Sequence, residues 1–95
     1  MDTLLQALAE PTRLAILDLL DRNGEMACAQ AYGALGLSKA NSSHHFRILR
    51  EAGAIRATMR GRDLYTRIRT EDLDVRFPGL ISAILAGWRT GKVDQ

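Results

Sequence analysis

The stretch LGLSKANSSHHFRILREAGAI, residues 35–55, decides the fold. Gly36-Leu37-Ser38 reads as a turn, and Ser38 as the N-cap of a helix that runs to about Ala52 and is ended by Gly53. At about 100° per residue, Ser42, His45, Phe46, Leu49 and Gly53 share one arc, assigned to the core. Ala40, Ser43, His44, Arg47 and Glu51 lie opposite, with Lys39 at the start. A recognition helix meets base edges with its N-terminal residues. Small Ala40 and Ser43 permit close approach, and Ser43 can bond a base edge or a phosphate. Lys39, His44 and Arg47 supply donors suited to guanine or phosphate. Asn41 sits on the flank, better placed for capping or a phosphate than for a base. Ser42, odd in a core stripe, is expected to bond back to the carbonyl four residues earlier.

Upstream, an alanine-rich helix from about Ala27 to Leu35 completes a helix-turn-helix. Before it, Pro11 stands at the first position of a helix carrying Leu14, Ile16, Leu17, Leu19 and Leu20, stopped at Asn23-Gly24. A short first helix, about residues 2–9, is capped by Thr3 or Asp2 and holds Leu4, Leu5 and Leu8. Downstream the period changes from 3.6 to 2. Ile55, Ala57 and Met59 alternate with Arg56, Thr58 and Arg60; Leu64, Thr66 and Ile68 alternate with Tyr65, Arg67 and Arg69. With Gly61-Arg62-Asp63 between them, the two runs predict a β-hairpin wing, apolar on one face and cationic on the other. A last helix, about residues 78–89, presents Leu80, Ile81, Ile84, Leu85 and Trp88 as one stripe. The expected architecture is mainly α with a small β-hairpin, a winged helix-turn-helix of order α-α-α-α-β-β-α, in one domain over 1–95.

Length and composition agree. Ninety-five residues make one domain, and 46% hydrophobic with 25% charged residues is globular usage. No apolar run approaches the ~18–20 residues of a membrane span. The start, Met1-Asp2-Thr3, has no basic n-region, and the single Cys28 forms no internal disulfide, so a reduced, cytoplasmic setting is expected. The net charge of +2 hides an asymmetry. Residues 38–69 hold eight basic and two acidic side chains; the remainder holds five basic and nine acidic. Concentrated cation with acidic flanks is the footprint of a phosphate-facing surface. Arg60 and Arg62 flank the wing tip and are the candidates for minor-groove or phosphate contact. Arg56, Arg67 and Arg69 lie lower and meet backbone phosphates or solvent. Asp63 is expected to orient Arg62 or the turn.

Other chemistries fit poorly. His44 and His45 diverge by about 100° on a helix, whereas shared metal ligands on one helix sit at i, i+4. His45 reads as a semi-buried ring bonded to backbone or phosphate, and no metal or other cofactor is expected. No Gly-rich phosphate loop, nucleophile elbow or oriented base is present, so no enzyme is expected.

With these residues placed, the segment Leu8–Arg69 resembles the ArsR/SmtB family of winged helix-turn-helix repressors. The matching pieces are LAEPTRLAILDLL at 8–20, the 35–55 stretch, and RGRDLYTRI at 60–68. The resemblance implies a cytoplasmic homodimer, built by its first and last helices, that binds an inverted-repeat operator in double-stranded DNA and usually represses it. The family's thiol metal site falls on Ala27, Ala29, Gln30 and Ala31, with Cys28 between the two thiol positions, so that site is absent. Its other common site needs Asp and His from the last helix, where neither occurs between Pro78 and Trp88. Cys28 reads as a small buried cysteine.

The dimer expectation has its own basis. Leu4, Leu5, Leu8, Leu80, Ile81, Ile84, Leu85 and Trp88 are more apolar surface than one thin domain covers, and a shared interface disposes of the excess. The leading reading is therefore a sequence-specific DNA-binding regulator, a homodimeric repressor with unknown effector. Two alternatives stand beside it: a winged-helix protein-interaction module without DNA affinity, and a regulator with an unrecognised metal or small-molecule sensor site.

Overall fold

The computed structural model describes residues 2–93; Met1, Asp94 and Gln95 of the expected 1–95 domain lie outside the described residues. The chain runs α1 (Asp2–Leu8), α2 (Pro11–Asn23), β1 (Met26–Ala27), α3 (Cys28–Leu35), α4 (Lys39–Glu51), β2 (Ile55–Arg60), β3 (Asp63–Ile68), α5 (Thr70–Arg76) and α6 (Leu80–Val93). This is the winged helix-turn-helix expected from the sequence, with two additions, β1 and α5.

Local chemistry sets the boundaries. Pro11 occupies the first turn of α2, where its missing N–H costs nothing, and the Glu10 carboxylate accepts from the Arg13 N–H as N-cap. Gly36 ends α3 at φ 66°, ψ 31°, a left-handed conformation that glycine adopts without a Cβ clash. Ser38 then caps α4, its hydroxyl accepting from the Asn41 N–H at 3.1 Å. Thr3 and Asp2 already belong to α1, so neither is its cap. In the wing, Gly61 at φ 64° is followed by Arg62 at negative φ, the sign pattern of a type II′ hairpin.

The sheet is antiparallel in the order β1-β3-β2. β3 is central, pairing Ile68 with Ile55 and Arg60 with Asp63 on one side, and Thr66 with Met26 on the other. Ile16, Leu17 and Leu20 of α2, Ala31 of α3, Phe46 and Leu49 of α4, and Ile55 and Ile68 at the wing base form the core. Leu4, Ala7 and Leu8 of α1, Leu73 of α5 and Leu85 of α6 complete it. The wing is apolar on its inner face only near its base. Met59 and Leu64, opposite each other in register, are exposed toward the tip. The closing helix is tied back to α2 by Arg89, which donates to Asp18 and Asp21.

Two expectations change. The helix expected at about 78–89 spans Leu80–Val93, and α5 precedes it. Leu4, Leu8 and Leu85 are 4%, 4% and 2% exposed, buried in this chain's own core. They are thereby removed from the apolar face expected to meet a second copy. Leu5 remains exposed on α1, and Leu80, Ile81, Ile84 and Trp88 remain half-buried along α6.

Candidate nucleic-acid interface

The outer face of α4 is as the wheel places it. Lys39, Ala40, Asn41, Ser43, His44 and Arg47 are all exposed, while Ser42, His45, Phe46 and Leu49 are buried. The side chains available to bases thus project from one helix whose opposite stripe is fixed in the core.

The charged groups divide by partner. Arg22 and Arg89 bind Asp18, Arg67 binds Glu71, and Arg69 binds Asp72. Arg13 is held by backbone carbonyls and His45, and Arg76 lies over the Phe77 ring. Lys39, Arg47, Arg50, Arg56 and Arg62 have no hydrogen-bonded or ion-paired partner among the described residues. All five lie on α4 or the wing. Cations without intramolecular partners are the ones free to displace counterions from a phosphate backbone.

Arg60 departs from that pattern. Its guanidinium pairs with Glu25 at 2.6 Å and lies 5.2 Å from the centre of the Tyr65 ring. Arg62 alone extends free from the tip. Asp63 faces Arg60 across the strand register, and no ion pair forms between it and Arg62, so of the two expected roles the orienting of Arg62 is not seen.

Beneath the recognition helix lies a polar junction that the sequence did not disclose. Arg13 Nη1 donates to His45 Nδ1 at 3.3 Å, and its other nitrogens donate to the Gln6 and Ala7 carbonyls at the end of α1. The Glu10 carboxylate stands 3.7 Å from the same imidazole nitrogen. His45 Nδ1 therefore rests on a guanidinium rather than on a backbone group. Because Arg only donates, Nδ1 accepts and the neutral ring is favoured. Burial pushes the His45 pKa down, with Glu10 opposing and Arg13 and His44 adding to the fall. The two histidine rings meet edge-on with centroids 5.3 Å apart.

Ser42 Oγ and Thr66 Oγ1 are buried without a hydrogen-bond partner among the described residues. The expected back-bond from Ser42 is absent; only its backbone N–H reaches the Ser38 carbonyl, at 2.9 Å. At the thiol-site positions, Gln30 uses its side-chain oxygen to accept from the Ala27 N–H, capping α3. Cys28 is buried, and desolvation raises its thiol pKa against the opposing charge of Arg50.

An exposed, partly cationic helix after a tight turn, flanked by a basic hairpin, defines a winged helix-turn-helix DNA-binding regulator. Comparison with known proteins gives the family. The helix-turn-helix domain family matches residues 8–57. The chain is 31% identical over 87 residues to the transcriptional repressor SdpR of Bacillus subtilis, covering 92% of this chain and 96% of that one. It is 33% identical over 82 residues to the arsenic resistance transcriptional regulator ArsR1 of Pseudomonas putida, covering 86% of this chain and 60% of the relative. Among solved structures, it superposes with TM-score 0.74 and 32% identity on a homodimeric winged helix-turn-helix DNA-binding domain from Mycobacterium bovis, a possible ArsR-family transcriptional regulator. That match covers 87% of this chain and 75% of the other. The chain belongs to the ArsR/SmtB family of winged helix-turn-helix transcriptional regulators.

Proposed function

We propose that the protein is a cytoplasmic homodimeric repressor that occludes a promoter by binding an inverted-repeat operator. The observation that carries this reading is that, among the described residues, the cations with no hydrogen-bond, ion-pair or ring partner lie on α4 and the wing. In this arrangement Lys39, Ala40, Asn41, Ser43, His44 and Arg47 enter the major groove. Arg62 reaches the backbone or minor groove beside it, and Arg60 joins when it exchanges Glu25 for phosphate. Leu5, Leu80, Ile81, Ile84 and Trp88 form the face for the second copy, which supplies the second recognition helix that specific affinity needs.

The test is selection of bound sequences from a random duplex pool at about 150 mM salt, stringent enough to suppress non-specific binding. Enrichment of an inverted repeat is expected. A folded protein that enriches no sequence would overturn the proposal and favour a protein-binding module.

A further inference from the structure

A cleft of about 530 Å³ lies between α3, α4 and the wing. That volume falls within the range of small-molecule sites, roughly 300–1,000 Å³. Its floor is apolar and aromatic: Tyr32 and Phe46 pack with ring centres 5.5 Å apart, beside Ala57 and Leu64. Arg47 and Arg50 line it from α4, both exposed and both without an ion-pair partner among the described residues.

The wall supplied by β3 holds one further polar group. Thr66 is fully buried and lines the cleft, and its hydroxyl has no hydrogen-bond partner among the described residues. It shares a strand face with Leu64 and stands opposite Ala57, both cleft residues, so the pleat turns its side chain to the same side. An orphaned hydroxyl in a sheet centre is a standing cost to the folded chain. The oxygen lies just beneath the cleft surface, so an entering group reaches it only with a small shift of the wall.

Two free guanidiniums, a ring-lined floor and one buried hydroxyl specify a ligand chemistry. We propose that this cleft binds a small aromatic carboxylate, its charge held by Arg47 and Arg50 and its ring against Tyr32 and Phe46, and that occupancy excludes DNA. A phosphodiester pairs with the arginines but leaves the aromatic floor and the Thr66 hydroxyl unused. A distal hydroxyl on the ring, seated against the β3 wall, bonds Thr66 when that wall yields. Exclusion follows because Ala40, Ser43, His44 and Arg47 line the cleft and are also the residues assigned to the major groove. This second half rests on the DNA-binding reading; the first does not.

The experiment therefore has two stages. In the first, the protein without DNA is titrated with a hydroxynaphthoate, the naphthoate lacking its hydroxyl, the hydroxynaphthamide lacking its charge, and inorganic phosphate. Amide shifts are followed by NMR. Saturable shifts at Tyr32, Ala57 and Thr66 are expected for both carboxylates. Arg50→Gln should weaken them about tenfold, as loss of a charge-assisted contact does. Thr66→Val should erase the preference for the hydroxylated compound while leaving the plain naphthoate unchanged. Equal binding of the amide, or shifts reproduced by phosphate alone, would overturn the site.

In the second stage the carboxylate competes with the selected operator. Direct exclusion raises the apparent operator Kd in proportion to ligand without limit, whereas an allosteric effect reaches a plateau. A plateau, or no competition, would overturn the exclusion. Failure to bind any DNA would instead sink the regulator reading and leave the first stage intact.

Discussion

Thr66→Val should stabilise the protein, although it removes a hydroxyl from a fully buried side chain. Thr66 is fully buried in the central strand, and its hydroxyl lacks a partner among the described residues. Burying an unsatisfied hydroxyl costs about 1–3 kcal/mol in protein mutational series. Replacing it by a methyl removes that cost and adds apolar contact; imperfect fit of the new methyl returns roughly 1 kcal/mol. The net expectation is a gain of about 1–2 kcal/mol, each kcal/mol raising Tm by about 4–8 °C in a domain this size. Thr66→Ser keeps the hydroxyl and loses the methyl, so it should fall below the natural protein by about 1 kcal/mol. Urea unfolding at one protein concentration gives the order, with an unchanged m-value showing that the unfolded state is not the cause. The order Val above Thr above Ser is expected. A less stable Val variant would refute the reasoning, because it would mean the hydroxyl is hydrogen-bonded in solution.

Four further outcomes follow from the interface. The depressed pKa of His45 means the unfolded chain takes up its proton first, so stability present above about pH 6.5 should decline as pH falls below it. Denaturation curves from pH 8 to pH 5 should show that decline, and His45→Gln should flatten it; an equal slope in both would exclude His45 as the cause. Arg47→Ala and His44→Ala should cut operator affinity by about 1–3 kcal/mol and non-specific binding by less, whereas Arg62→Ala should weaken both alike in filter-binding titrations. Equal losses for Arg47→Ala would remove it from base reading. Glu25→Gln removes the partner Arg60 gives up on binding, so DNA affinity should rise, whereas Arg60→Gln should flatten the logarithmic salt slope by about 0.9; a slope that Arg60→Gln leaves unchanged would keep Arg60 out of the contact set. Leu5→Glu, on an exposed position of α1, should leave the fold within about 0.5 kcal/mol and convert the proposed dimer to monomer in sedimentation; a dimer that persists would place the interface elsewhere.

The features that were legible in the sequence are those with strong local signals. Ser38, Gly36 and Pro11 each act through one backbone group, and the α4 stripe through a period that tertiary contacts only reinforce. β1 escaped because two residues cannot display alternation; its pairing with β3 is visible only in three dimensions. α5 escaped because seven residues carry a single buried apolar side chain, Leu73; its signal was the acidic first turn of Glu71 and Asp72. The division of Leu4 and Leu8 from Leu5 is a matter of which helix face the core takes, and a run of leucines does not state that. Within the site, residue types marked the exposed cations, but Arg60 is set apart from Arg62 by Glu25, thirty-five positions away in sequence, and by the Tyr65 ring. The same holds for the Arg13–His45 contact, which joins α2 to α4 across 32 positions.

The strand order has a consequence for solubility. With β3 in the centre, β2 leaves its outer backbone edge open, the kind of template on which a foreign strand can add. Arg56 and Arg60 stand along that edge, and the opposite edge is blunted by the two-residue length of β1. The cations of the wing thus also repel edge-to-edge pairing and keep neighbouring molecules apart. Neutralising them removes protection against aggregation together with any contact to phosphate. A wing variant that loses DNA binding is therefore informative only when light scattering shows it still dispersed.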